Sequence, residues 1–251
     1  MAEREFDAVV VGAGPAGEVC AGRIAGGGLD VAIVECRLIG GECSYYACMP
    51  SKALLRPAEL LAEVKRVPGA AQAANGTLDV AAALARRDEV IHDRDDSSQV
   101  PWLEDKGISL FRGDGRLDGE RRIMVGDDVL AARRAVVLAT GSSAAMPPID
   151  GLADAAPWSN REATTAKRAP RSLIVLGGGF VGVEMAQAWR SLGSEVVLVE
   201  AMDRVLAPEE QFASEQVTEG LREAGVDVRT GAKASAVRGA DGEVEIGRAH
   251  V

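Results

Sequence analysis

Histidine is almost missing from this sequence: His92 and His250 are the whole complement. A zinc centre takes about four ligands, and neither histidine lies near the two cysteines at 43 and 48. A metal-held loop is therefore the weaker reading of that pair. Cysteine is scarce too, with four in 251 residues. Disulfide frameworks serve small secreted domains that lack a core, whereas a chain of this length with 47% apolar residues can bury its own. No apolar run approaches the roughly 18 residues that a membrane-spanning helix needs. Positive charge is in deficit, 28 Lys and Arg against 38 Asp and Glu, for a net charge of −10. An acidic surface repels a phosphate backbone, which argues against a nucleic-acid partner. The opening MAEREFDAVVVGAGPAG sets acids before a short apolar run that leads into glycines, unlike a signal peptide. The expectation is a cytoplasmic protein with no membrane partner. In that compartment a persistent disulfide is unusual and a catalytic one more natural.

What the sequence does have is one unit written twice. DAVVVGAGPAG (7–17) and SLIVLGGGFVG (172–182) each pass from an apolar strand-length run into G-x-G-x-x-G and then helix-forming sequence. Gly12, Gly14 and Gly17 correspond to Gly177, Gly179 and Gly182, and an acid follows the first glycine by 23 residues in both, Glu35 after DVAIV and Glu200 after EVVLV. One such motif is weak; two in strand–turn–helix context with the acid at the same offset are strong. The first glycine permits the turn, the second lets backbone approach a pyrophosphate, and the third lets helix and strand pack closely. The helix start supplies unpaired N–H groups to the anion, and the carboxylate accepts from a ribose diol. The chain reads as α/β, with two Rossmann-like dinucleotide-binding domains.

Between the units lies GGECSYYACMPSK (40–52). Ligation, a structural staple and a redox pair are all open on the residues alone. Together with GAGPAG (12–17), LATGSSAAMPPIDG (138–151) and GGGFVGVE (177–184), the segment resembles the pyridine nucleotide-disulfide oxidoreductase family, which includes dihydrolipoamide dehydrogenase, glutathione reductase and mercuric reductase. The resemblance implies FAD on the first unit and NADH or NADPH on the second. It implies a redox-active pair in which Cys48 is the flavin-proximal thiolate and Cys43 the outer thiol that exchanges with substrate. It also implies Lys52 near the flavin ring, with Glu184 as its ion-pair partner. Pro50 suits the first position of a helix, which puts Cys48 near the cap, where dipole and free N–H groups favour a thiolate.

The flavin contacts so implied are Gly12, Gly14, Pro15, Ala16 and Gly17 of the first turn, Glu35, and Gly41 before the cysteines. Ala139, Thr140 and Gly141 in LATGS join them, as does Gly115 in GDG, which fits a hairpin glycine equally well. Gly177, Gly179, Phe180, Val181, Gly182 and Glu200 serve the nicotinamide coenzyme. A carboxylate at 200 favours NADH over NADPH, and Arg204 four residues on softens the preference. Tyr45 and Tyr46 depart from the small and apolar residues the family has between its cysteines and are expected to alter the surface near the outer thiol. Cys20 reads as a small core residue, and Cys36 has no evident partner.

Elsewhere, residues 52–67 have helical periodicity, with Pro57 as a kink or break. Residues 82–107 read as a charged amphipathic helix and turn, with His92 facing solvent from the helix, and 108–140 as short strands with turns. Prolines and glycine near 146–157 punctuate the chain, which divides it into a flavin domain at 1–148 and a nicotinamide domain at 149–251.

The resemblance also implies a C-terminal dimerisation domain that this sequence does not contain, and with it the partner's catalytic histidine, which His250 does not match. The full-length protein is then a homodimer acting on a small-molecule or protein disulfide or dithiol, and these 251 residues alone are expected to hold flavin weakly and turn over little. The competing readings are a nucleotide-binding redox sensor that does not turn over and a flavoprotein that reduces quinones directly.

Overall fold

The computed structural model describes residues 2–240 and 243–248; His250 lies outside them. In chain order the elements are β1 (Ala2–Val11), α1 (Pro15–Gly26), β2 (Val31–Glu35), α2 (Gly41–Tyr45), α3 (Cys48–Arg66), α4 (Val80–Val90), α5 (Val100–Asp105), β3 (Ile108–Arg112), β4 (Gly115–Leu117), β5 (Arg122–Val125), β6 (Asp128–Leu138), α6 (Asn160–Thr165), β7 (Ser172–Leu176), α7 (Phe180–Ser191), β8 (Glu195–Val199), α8 (Gln211–Glu223), β9 (Asp227–Arg229), β10 (Ala234–Ala240) and β11 (Glu243–Arg248). They fall into two compact units, 1–49 with 88–143 and 50–87 with 144–251.

The first unit is built on a sheet in the order β3-β2-β1-β6-β5-β4. β3, β2, β1 and β6 run parallel, and β5 and β4 continue from β6 as an antiparallel meander. Strands buried on both faces read as near-continuous apolar runs, and all five residues of β2, VAIVE, are buried. Alternation then sorts the side chains by face. Val9, Val11, Ala32 and Val34 join Phe6, Phe111 and Leu130 on one side. Val10, Val31 and Ile33 pack with Ala21 of α1, Leu103 of α5 and Ile39 on the other.

The second unit holds the parallel sheet β7-β8-β9 and the antiparallel pair β10-β11. Its core gathers Val183, Met185, Ala186, Ala188 and Trp189 of α7 with Val196 and Leu198 of β8. Leu54 and Leu55 of α3 and Ala83 and Leu84 of α4 belong to the same cluster. Residues 50–87 therefore pack with the later segment, and the third crossing between units falls at 143/144. The sequence suggests a single contiguous division at 148/149; composition carries no sign of which core a helix joins.

Pro57 neither breaks nor ends its helix: α3 runs unbroken for 19 residues with the proline inside. A mid-helix proline removes the N–H that would bond the carbonyl four residues back. Here that carbonyl, Ala53 O, accepts instead from Arg86 Nη1 at 3.2 Å. Beside it, fully buried Arg87 donates to Thr164 O and, at 2.8 Å, to Ala166 O, tying α4 to the end of α6.

His92 is exposed, as the sequence suggests, but it is not in an α-helix. α4 ends at Val90, and His92, Asp93 and Arg94 all have positive φ, in a tight left-handed turn. Cys20 is half-buried rather than enclosed.

Candidate functional site

Both glycine turns take the form the sequence implies. At Gly12 φ is +102°, and a β-carbon there would lie 2.3 Å from Ala139 O. One on Gly17 would lie 1.8 Å from Gly12 O. No larger residue fits either place, so the turn is closed by glycine where α1 crosses it. Gly14 is the N-cap of α1, Pro15 its first residue, and Ala16 stands exposed beside it. The second turn repeats this: Gly177 has φ +104°, a β-carbon on Gly182 would meet Gly177 O at 2.0 Å, and Gly179 caps α7. Nothing lies within 4 Å of a β-carbon on Gly179, and Phe180 and Val181 are exposed. This open backbone at a helix start is the cradle a pyrophosphate requires, so the residues present fit a dinucleotide at each turn.

The two acids are held alike, in a way the offset of 23 did not reveal. Buried Glu35 accepts from Ala13 N and Arg37 N, both at 2.7 Å. Glu200 accepts from Gly178 N at 2.5 Å and Met202 N at 2.7 Å. Each carboxylate thus ties its strand end to its own glycine turn. A carboxylate has about four acceptor positions, so two N–H bonds leave capacity for a ribose diol. Arg204, expected to soften the choice of coenzyme, is pinned to Ala207 O at 2.7 Å.

The cysteine loop grows directly from the first turn. Gly40 N donates to Ala13 O at 2.7 Å. Gly40 and Gly41 both have positive φ, +100° and +58°, and a β-carbon on Gly41 would lie 2.8 Å from Gly14 Cα. From this contact α2 carries half-buried Cys43, and exposed Cys48 opens α3. The helix starts two residues earlier than a Pro50 first position implies. Pro50 still lies in the first turn, where an N–H has no intrahelical partner to lose, and Cys48 sits in the first turn itself.

Tyr45 corrects a second expectation. Its side chain is 1% exposed and adds nothing to the surface near Cys43. A β-carbon on Gly40 would lie 3.2 Å from Tyr45 Cε2, so the ring lies against that turn. Among the described residues its hydroxyl has no hydrogen-bond partner, and neither has Glu18 Oε1 of α1, also enclosed. Burial, with the charge of Asp96 beyond it, pushes the Tyr45 phenol above its ordinary value. Burial, with Glu35 nearby, pushes the Glu18 carboxyl up. Tyr46 is half-buried.

Lys52 and Glu184 form the ion pair the family resemblance implies, Nζ to Oε1 at 2.5 Å. Ser51, which the sequence reading passed over, completes the group: its hydroxyl donates to Glu184 Oε2 at 2.8 Å and accepts from Lys52 Nζ at 3.3 Å. Lys52 follows Cys48 by four residues on α3, and residues so spaced lie on one helix face.

Ala139, Thr140 and Gly141 follow the end of β6, with Ala139 N donating to Val11 O at 2.8 Å. Gly115 opens β4 and pairs with Val125 in the β4–β5 hairpin. A β-carbon there would press on Val11 and Val34 at 3.0 and 3.1 Å, at the ends of the parallel strands. The hairpin role and the strand-end position coexist. Among the described residues no group of three or more His, Cys, Asp or Glu converges as a metal centre requires, and no helix is long and apolar enough to cross a membrane.

Comparison with known proteins gives a consistent set. Residues 6–250 match the family described as pyridine nucleotide-disulphide oxidoreductase. A dihydrolipoyl dehydrogenase of Acholeplasma laidlawii is 31% identical over 93% of this chain and 71% of its own length. One from Chlorobaculum tepidum is 36% identical over 91% and 50%, and a mercuric reductase of Bacillus cereus 29% identical over 96% and 38%. The HOCl-induced flavoprotein disulfide reductase RclA of Escherichia coli, as its Cu(II) complex, superposes with a TM-score of 0.81 at 25% identity, covering 97% of this chain and 53% of that one. With the exception of the Acholeplasma protein, the chain spans about half or less of the length of these relatives.

Proposed function

Since the chain belongs to the pyridine nucleotide-disulphide oxidoreductase family, we propose that it is the nucleotide-binding portion of an FAD-dependent NADH:disulfide oxidoreductase working through Cys43 and Cys48. The observation that carries the reading is the junction of cysteine loop and glycine turn, where Gly40 N bonds Ala13 O and Gly41 abuts Gly14. A cofactor whose pyrophosphate rests on that turn has the loop as its neighbour.

The roles follow from the side chains. The starts of α1 and α7 hold pyrophosphates through their open N–H groups. Glu35 and Glu200 hold riboses, and a fixed carboxylate at 200 with Arg204 turned to Ala207 favours NADH over NADPH. When bound, the flavin supplies two-electron transfer between nicotinamide and disulfide. Reduction of the Cys43–Cys48 bond takes up two electrons and one proton, leaving a thiol at Cys43 and a thiolate at Cys48. Once deprotonated, Cys43 attacks a substrate disulfide. One substrate sulfur leaves as thiol, and Cys48 then displaces the other, which reforms the pair. Lys52, held by Glu184 and Ser51, is the lysine that would stand near the flavin ring and steady negative charge on the reduced flavin.

The substrate is a small-molecule or protein disulfide or dithiol, dihydrolipoamide being the closest chemical guide, and the full-length protein acts as a homodimer in the cytoplasm. Replacement of Cys43 with serine tests the reading: disulfide reduction is lost, while NADH still reduces the flavin. Undiminished disulfide reduction by that variant would refute it.

A further inference from the structure

Ser51 is buried, with 3% of its surface exposed, whereas the Lys52 side chain is 61% exposed. An exposed lysine in a single ion pair is loosely held, since such pairs gain little against side-chain entropy and solvent. Three contacts change that here. Lys52 Nζ donates to Glu184 Oε1 and to Ser51 Oγ, and Ser51 Oγ donates to Glu184 Oε2. The carboxylate is gripped on both oxygens, and the ammonium meets two acceptors that are fixed relative to each other. The buried hydroxyl is the rigid member, because it sits in the first turns of α3 between Pro50 and Ala53, both buried.

We propose that Ser51 is a positioning residue: it orients the Glu184 carboxylate and thereby fixes the Lys52 ammonium where it acts on negative charge in the redox site. The second half of that statement rests on the flavin reading above; the first does not. The hydroxyl acts through Glu184, so its effect depends on the carboxylate being there.

The test compares Ser51→Ala and Ser51→Thr, each with and without Glu184→Gln, in the FAD-loaded protein, all confirmed folded by thermal melting. One readout is the lysine side-chain NH3 signal of Lys52 in 15N-lysine NMR. The other is the flavin midpoint potential. Ser51→Ala is expected to broaden the Lys52 signal into exchange with water. It should also shift the potential to more negative values and slow flavin reduction by NADH roughly tenfold, the loss of one charge-assisted hydrogen bond. Threonine restores all three, and in the Glu184→Gln background the alanine change adds little. An unchanged Lys52 signal in Ser51→Ala, or effects that simply add to those of Glu184→Gln, would overturn the positioning role. A sharp-to-broad change in Lys52 with no movement of the potential would overturn the link to the flavin. Failure of the parent protein in its longest natural form to take up FAD contradicts the reading beneath it, and the NMR comparison then still decides what Ser51 does.

Discussion

Gly41 stands against Gly14: a β-carbon on the first would lie 2.8 Å from the Cα of the second. The first glycine turn, proposed to receive a pyrophosphate, and the loop that carries the cysteines are thus in backbone contact, through residues 14 and 41. The doubled glycine before Glu42 is explained by that contact and by the positive φ of both members.

Gly41→Ala should destabilise the protein by about 1–3 kcal/mol, since it combines a left-handed backbone with a close approach that no side chain can swing away from. A urea melt measures this, and FAD retention should fall alongside.

Arg86 and Pro57 should be coupled through Ala53 O. Arg86→Met leaves Ala53 O without its donor and should cost about 1–3 kcal/mol. In a Pro57→Ala background the restored N–H can serve that carbonyl, and the cost of Arg86→Met should shrink. A double-mutant cycle by urea denaturation checks it; equal costs in both backgrounds would show that the arginine does something else.

Glu18 gives a pH dependence with a definite sign. Burial holds its folded-state value above the ordinary 4.5, so the ionised carboxylate penalises folding at neutral and alkaline pH. The penalty fades as pH falls through the raised value toward 4.5. Glu18→Gln should therefore raise the unfolding midpoint at pH 8 and make little difference near pH 4.5, as read by denaturation at the two pH values.

How much of this was legible beforehand divides along physical lines. The glycine turns and the acids at 35 and 200 could be read because turn geometry and ligand chemistry restrict residue type at fixed spacing, whereas the Lys52–Glu184 pair could be read only from the family resemblance. The burial of Tyr45 could not, because a tyrosine between two cysteines carries no mark of which way its ring turns; here the ring lies against the turn at Gly40. The proline bridged by Arg86, the placement of 50–87 with the second unit and the hydroxyl of Ser51 are likewise set by side chains distant in sequence. Periodicity found α3 but not its neighbours.

Glu200 should act on coenzyme choice and on stability together. Glu200→Ser removes the acceptor for Gly178 N and Met202 N as well as the proposed ribose partner. The KM for NADH should rise roughly tenfold, the worth of one charged hydrogen bond, discrimination against NADPH should narrow, and the urea midpoint should fall. Steady-state kinetics with both coenzymes and a melt check this.

The central claim is that Cys48 lies beside a flavin seated on the first glycine turn. Its most direct test is anaerobic NADH titration of the FAD-loaded protein in its longest natural form. Two-electron reduction should bring up a long-wavelength thiolate–flavin absorbance, which Cys48→Ser abolishes while FAD stays bound. A reduced spectrum without that band, or one identical in Cys48→Ser, would contradict the account.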